Sequence, residues 1–135
     1  MGSVKFDDLP EDYKFIYYVQ FGTIYKDECQ LKETLHSFRS AVSFEPTVTY
    51  PYIYLATSLS IINQLDEAEK ILKLALMKEG DIDEVNYNLS TIYSRKGNFN
   101  KAIEYMKECL RIDTNYNNAQ KWLDDFINMS KEGNA

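Results

Sequence analysis

Apolar residues along most of the chain recur at intervals of three and four, in runs separated by short polar breaks. Between residues 83 and 116, one run ends at Lys96-Gly97-Asn98 and a second run resumes the same period. The apolar positions of the two runs are Val85, Leu89, Ile92, Tyr93, Phe99, Ile103, Met106 and Leu110. Such spacing places apolar side chains on one face of an α-helix. The segment therefore predicts two amphipathic helices joined by a turn.

The breaks carry residues that end one helix and begin the next. Gly97 can adopt the left-handed backbone conformation that closes a helix, and Asn98 can cap the following helix. In the middle segment the glycine is replaced by Asn63, the next best residue for that conformation, and in the first segment by Cys29, a poor choice. We expect a turn of the same kind in each segment.

Other residues predict where helices start. Asp81 and Glu84 have the spacing of a capping box, in which two side chains satisfy the first backbone N–H groups of a helix. Pro51 stands where a first helical turn tolerates proline. The capping spacing also occurs around Leu9, so we expect the first helix of the chain to begin there.

The whole pattern repeats every 34 residues. At that offset, large side chains align with large ones and small side chains with small ones, in many columns together. Two large columns are Phe21, Leu55, Leu89 and Phe38, Leu72, Met106; the small columns are Gly22, Ala56, Ser90, then Thr34, Ala68, Ala102, then Ala41, Ala75, Cys109. Two helices can approach closely only where the residues at their crossing are small. We therefore expect the small columns to be buried at helix crossings.

This 34-residue helix-turn-helix unit resembles the tetratricopeptide repeat. The first unit shows the resemblance most fully, in Tyr18, Phe21, Gly22, Tyr25, Phe38, Ala41 and Pro46. The units depart from the family pattern at Cys29, Thr34, Gly80, Asn86 and Thr114. The resemblance implies an all-α fold, a right-handed superhelix of three antiparallel helix pairs plus a C-terminal capping helix. The predicted segments are a lead-in over 1–14, units over 15–48, 49–82 and 83–116, a capping helix over 117–130 and a flexible tail over 131–135.

The predicted capping helix is amphipathic. Its apolar positions are Ala119, Trp122, Leu123, Phe126 and Ile127, and its other side is polar. A repeat array needs such a helix to cover the apolar face of its last unit. We interpret Trp122, the only tryptophan, as a filler of this packing.

Composition narrows the function. The net charge of −6 and the lack of a basic face predict no nucleic-acid binding. No run approaches the roughly 20 apolar residues of a spanning helix, so we expect no membrane insertion. With no signal segment in view a cytoplasmic location is favoured, although Met1-Gly2-Ser3 resembles a cloning remnant. We expect Cys29 and Cys109 to be reduced.

The sequence contains no recognisable constellation for catalysis. The single histidine, His36, is predicted to face outward from its helix. Spacings typical of metal sites, activated nucleophiles and phosphate-binding loops do not occur. We therefore expect no enzymatic activity and no cofactor.

The family resemblance implies that the first helix of each unit lines a concave surface where peptides bind. The candidate binding residues are Val19, Thr23, Lys26, Ile53, Tyr54, Thr57, Tyr87, Asn88, Thr91 and Ser94. The threonine hydroxyls of one column could bond to a peptide backbone. Alternatively, threonine is present because it is small enough for the inner curve.

Some members of the family bind the acidic tails of chaperones through a clamp of Lys, Arg and Asn. The corresponding positions here hold Val19, Thr23, Tyr54, Glu84 and Asn88. A groove with so few cations is not expected to hold a multiply charged anionic tail.

The sequence therefore predicts a non-enzymatic module that binds a protein or peptide partner. One alternative is self-association through exposed apolar residues such as Ile16, Tyr17 and Tyr50, giving a homo-oligomer. The other is a section of a larger scaffold or co-chaperone that positions a neighbouring domain.

Overall fold

The computed structural model describes residues 31–133 of the chain. It contains six helices: α1 (Leu31–Phe44), α2 (Tyr50–Ile61), α3 (Leu65–Ala75), α4 (Ile82–Arg95), α5 (Phe99–Ile112) and α6 (Ala119–Gly133). The predicted first helix, with Gly22 and the Cys29 turn, lies outside the described residues. Over residues 31–133 the all-α fold is confirmed, and none of the helices there is long and apolar enough to cross a lipid bilayer.

The helices stack in chain order. Each of α1 to α5 packs against the helix that follows it, so that α2 pairs with α3 and α4 with α5. In addition α2 contacts α4 directly, whereas α3 and α5 make no contact of that extent. Because only one side of the stack brings alternate helices together, the array curves toward α2 and α4. The result, over residues 31–133, is a helical solenoid in which α2 and α4 lie on the inner side.

The small columns lie at the helix crossings, as predicted. Ala56 and Ser90 on the first helices and Ala68 and Ala102 on the second helices are all buried. The Ser90 hydroxyl donates a hydrogen bond of 2.6 Å to the Ala102 carbonyl oxygen. A larger side chain at either position would have to separate the α4 and α5 backbones. The remaining described members of these columns, Thr34, Ala41, Ala75 and Cys109, are also fully buried.

The turns within the helix pairs have the predicted geometry. Asn63 and Gly97 both adopt left-handed backbone conformations, with φ of 63° and 80°. The Asn98 side chain accepts a hydrogen bond of 3.2 Å from the Lys101 backbone N–H, which caps α5.

The capping box predicted for α4 is wrong. Asp81 occupies the N-cap position, but its side chain makes no capping hydrogen bond. Its backbone N–H instead donates to the Thr49 hydroxyl oxygen at 3.1 Å, and the Glu84 N–H bonds to the Asp83 side chain. A contact with the preceding unit, which local spacing could not reveal, therefore fixes the start of α4.

The segments that enter α2 and α4 are joined by backbone hydrogen bonds. The Thr49 N–H donates to the Glu79 carbonyl at 2.9 Å, and the Glu79 N–H donates to the Thr47 carbonyl at 2.9 Å. Gly80 lies within this joint with φ of 135°, a backbone conformation that residues with side chains rarely adopt. This geometry explains why Gly80 stands where the first unit has Pro46.

The capping helix α6 buries Ala119, Leu123 and Phe126 against the array. The rings of Phe99 and Phe126 lie 6.2 Å apart, which ties α6 to α5. Trp122, however, is 40% exposed and only stacks on Phe126 from outside. The interpretation of Trp122 as a core filler is therefore wrong.

Candidate functional site

The candidate site lies where α2 and α4 run side by side. A cavity of about 60 Å³ separates them, and Thr57, Asn88 and Thr91, three of the predicted binding residues, line it together with Ser60. The remaining lining residues are Ala56, Leu72 and Ile92. Three predicted residues, Val19, Thr23 and Lys26, lie outside the described residues. We call the α2 and α4 surface around this cavity the inner face.

The hydroxyl groups of the inner face donate to their own helices. Thr57 bonds to the Ile53 carbonyl at 2.8 Å, and Ser60 bonds to the Thr57 carbonyl at 3.0 Å. Thr91 and Ser94 make the same kind of bond on α4, each at 2.8 Å. Because each hydroxyl has one proton and two acceptor lone pairs, these groups present acceptors to the groove. The inner face is therefore suited to N–H donors rather than to carbonyl groups.

The predicted apolar contacts divide into two kinds. Ile53 is only 3% exposed and belongs to the core, so its side chain cannot supply the ligand contact that was predicted. Tyr54 is half-buried, with its ring stacked on Phe38 at 5.3 Å and edge-on to Tyr50 at 5.7 Å. Tyr54 therefore combines a structural contact to α1 with a partly accessible ring.

Tyr87 is also partly buried, against a residue that the sequence reasoning did not single out. Its ring lies 5.0 Å from that of Tyr116, in the loop between α5 and α6. Burial, and then the negative charge of Glu84, raise the pKa of the Tyr116 phenol, which stays protonated at neutral pH. Tyr116 could have been found from the repeat, because the equivalent positions of the two preceding units hold the apolar residues Val48 and Ile82.

The positive charge of α4 is already engaged. Arg95 donates to the Ser60 carbonyl at 2.9 Å and to the Asn63 side-chain oxygen at 3.3 Å, at the C-terminal end of α2. The neighbouring Lys96 forms ion pairs with Asp66 and Glu69 of α3. These contacts hold consecutive units together and leave Arg95 little capacity to bind an anion.

Trp122 extends the candidate site onto α6. Leu55, Leu89 and Leu123 share one column and are all buried, so α6 continues the register of the first helices. In the same register Trp122 follows Tyr54 and Asn88. By this register Trp122 corresponds to inner-face positions of α2 and α4, and the 34-residue interval could have identified it.

Two comparisons with known sequences identify the repeat. Residues 83–116 match the family profile described as Tetratricopeptide repeat. Human protein O-mannosyl-transferase TMTC1 is 28% identical over 91 residues, which cover 67% of this chain. The chain spans about a tenth of the length of that protein, since the match covers 10% of it.

Solved structures share the fold. The first TPR domain of human RPAP3 superposes with a TM-score of 0.83 at 14% identity, covering 91% of this chain and 98% of that domain. The second TPR domain of human RPAP3, in complex with the HSP70 peptide SGPTIEEVD, gives 0.79 at 15% identity, with coverage of 87% and 98%. Residues 83–116 therefore match a tetratricopeptide repeat, and the stacked helix pairs around them share the fold of the solved TPR domains.

Proposed function

We propose that the chain is a non-enzymatic interaction module that binds an extended peptide segment across the inner face of its solenoid. The observation that carries the proposal is the row of hydroxyl acceptors beside Asn88, around the cavity between α2 and α4. An extended peptide has backbone N–H groups that secondary structure does not occupy, so it offers the donors that such a row can accept.

A structural relative supports peptide binding but not the same ligand. The peptide bound to the second TPR domain of RPAP3 ends in IEEVD, with three acidic side chains. In this chain α2 has no Lys or Arg, and the one cation of α4, Arg95, already bonds to the C-terminal end of α2. We therefore do not propose an acidic chaperone tail as the partner.

The experiment compares two chains that carry the same substitution at different places. Thr91→Glu puts a bulky carboxylate at the cavity, and Thr114→Glu puts one in the exposed loop after α5. Proteins that the wild type and Thr114→Glu capture, but Thr91→Glu does not, are the candidate partners. Synthetic peptides that cover segments of those proteins are then tested for direct binding by calorimetry. Equal binding of those segments by both variants would place the partner surface elsewhere. Circular dichroism spectra must first show that both variants fold.

Self-association is the first alternative. Tyr50 is exposed, as that alternative requires, while Ile16 and Tyr17 lie outside the described residues. Sedimentation over a range of concentrations separates the two ideas, because a peptide-binding monomer keeps one sedimentation coefficient and a self-associating chain does not.

The second alternative is a module within a longer scaffold; the match to human TMTC1 covers a tenth of that protein. In that arrangement the chain would hold a partner for a neighbouring domain, and any reaction would belong to that domain. Both versions use the same inner face. The Thr91→Glu comparison therefore tests them together.

A further inference from the structure

Building on the proposed function, we propose that the inner face selects an uncharged, extended segment with two apolar side chains about six residues apart, seated at Tyr54 and Trp122, whose backbone bonds to Asn88 between them. The proposal goes beyond peptide binding because it names the chemistry and the spacing of the ligand. Three properties of the structure carry it: exposed apolar side chains, the distribution of charge, and the state of the Asn88 amide.

Exposed apolar side chains occupy columns of the inner face. Ile61 and Met129, which are 54% and 43% exposed, share a column with Arg95, and Trp122 shares one with Tyr54 and Asn88. Exposed apolar groups that gather on one surface usually mark a contact surface rather than random exposure. The ligand should therefore bring apolar side chains to both ends of the inner face.

The inner face provides little charge to complement a charged ligand. Helix α2 contains no Asp, Glu, Lys or Arg over Tyr50–Ile61. On α4 the charged residues are confined to its two ends. On α6, Lys121 and Asp125 in the columns of Tyr87 and Thr91 have opposite signs. A multiply charged segment would lose hydration here without gaining ion pairs, so an uncharged segment is favoured.

The spacing follows from the dimensions of helices and extended chains. Packed helices lie roughly 10 Å apart, and an extended chain advances about 3.3 Å per residue, so about three residues span one helix. In the 34-residue register Tyr54 and Trp122 stand two units apart, which at this spacing corresponds to about six residues. Because side chains of an extended segment alternate, residues at an even separation such as six point the same way. The residue midway between them points away and presents its backbone to Asn88.

Asn88 is poised for that backbone contact. Its side-chain amide lines the cavity and makes no hydrogen bond to another side chain or backbone group in residues 31–133. An amide has both a donor and an acceptor, so it can bond to the N–H and the C=O of one peptide unit. The neighbouring threonines can only accept.

The test uses a displayed library of random peptides, about twelve residues long so that a spacing of about six fits in several registers. We expect the enriched peptides to be poor in Asp and Glu and to share two apolar residues about six apart. An enriched peptide, made synthetically, should bind roughly tenfold or more weakly to Trp122→Ala, since buried aromatic anchors dominate such interfaces. Asn88→Asp, which keeps the size of the side chain but removes its donors, should weaken binding as well.

Two matched variants serve as controls. Leu74→Ala removes an apolar side chain of similar exposure, 46%, from α3, and Asn100→Asp makes the same amide-to-acid change on α5. Both should bind the peptide as the wild type does. Enriched peptides that are acidic or lack the spacing, or that bind Trp122→Ala and Asn88→Asp normally, would overturn this inference and leave peptide binding intact. A library that gives no peptide preferring the wild type over Thr91→Glu would overturn both proposals.

Discussion

Replacing Gly80 by alanine should weaken the joint between the α1–α2 and α3–α4 connections more than any other glycine substitution in residues 31–133. Gly80 has φ of 135°, and an added Cβ would come closer than 3.0 Å to the Thr49 hydroxyl oxygen, a separation that real Cβ atoms essentially never show. Thr49 is buried and its hydroxyl accepts the bond from the Asp81 N–H. Neither the backbone nor the side chain can move without losing a contact.

The magnitude follows from two contributions. A non-glycine residue in a sparsely populated backbone region costs about 1–3 kcal/mol. Displacing the Thr49 hydroxyl would remove the hydrogen bond to Asp81, which is worth roughly 1 kcal/mol. We expect Gly80→Ala to lower the free energy of unfolding by about 2–4 kcal/mol, measured by urea denaturation followed by circular dichroism.

Gly97 provides the matched control. It also has positive φ, 80°, but an added Cβ would meet no atom within 4 Å. Gly97→Ala should therefore cost only the left-handed backbone penalty, roughly 1–2 kcal/mol. In a Thr49→Ala background the hydroxyl is absent, so the cost of Gly80→Ala should fall toward the Gly97→Ala value. If Gly80→Ala cost no more than Gly97→Ala, or cost the same with and without the hydroxyl, the steric reasoning would be refuted.

Three further measurements test other parts of the structure. Ala102→Leu overpacks the α4–α5 crossing, and it should reduce the free energy of unfolding by roughly 1–3 kcal/mol; an unchanged melting temperature would contradict the repeat register. Burial, with the charges of Asp83 and Asp113, raises the pKa of the Cys109 thiol from 9.0 to about 11. The thiol should therefore resist alkylation at pH 8 in peptide-mapping mass spectrometry, and stability should fall as the pH rises from 9 to about 11, because the unfolded chain releases that proton first. The double variant Ser130→Lys, Asn100→Asp copies the Lys96–Asp66 ion pair, which lies one repeat earlier, onto the side-chain contact of 3.0 Å between Ser130 and Asn100. The new pair should add at most about 1 kcal/mol to the free energy of unfolding, and a double-mutant cycle gives its coupling energy.

The sequence predicted the fold because the repeat concerns side-chain size. Ala68 and Ala102 could be placed at crossings without coordinates, since a 34-residue interval fixes which positions face each other. Trp122 was misplaced because an apolar stripe several positions wide does not say which member faces outward. Asp81 was misassigned for a different reason. Its partner is Thr49, 32 residues earlier, and a capping pattern considers only the next turn of the helix.

The threonine column, which suggested the binding site, is weaker evidence for a ligand than its neighbour Asn88. β-branched residues lower helix propensity, so a threonine in the middle of a helix is expected to have a compensating role. In the structure Thr57 and Thr91 each have one, because their hydroxyls bond to carbonyls of their own helices and their small size suits the approach of α2 to α4. These roles account for the choice of threonine, while the acceptor lone pairs of the hydroxyls remain available to a peptide. Asn88 has no such internal bond for its side-chain amide within residues 31–133, although it lines the same cavity. Asn88 is partly exposed, so its amide is the group of the inner face with both a donor and an acceptor to offer to the proposed peptide.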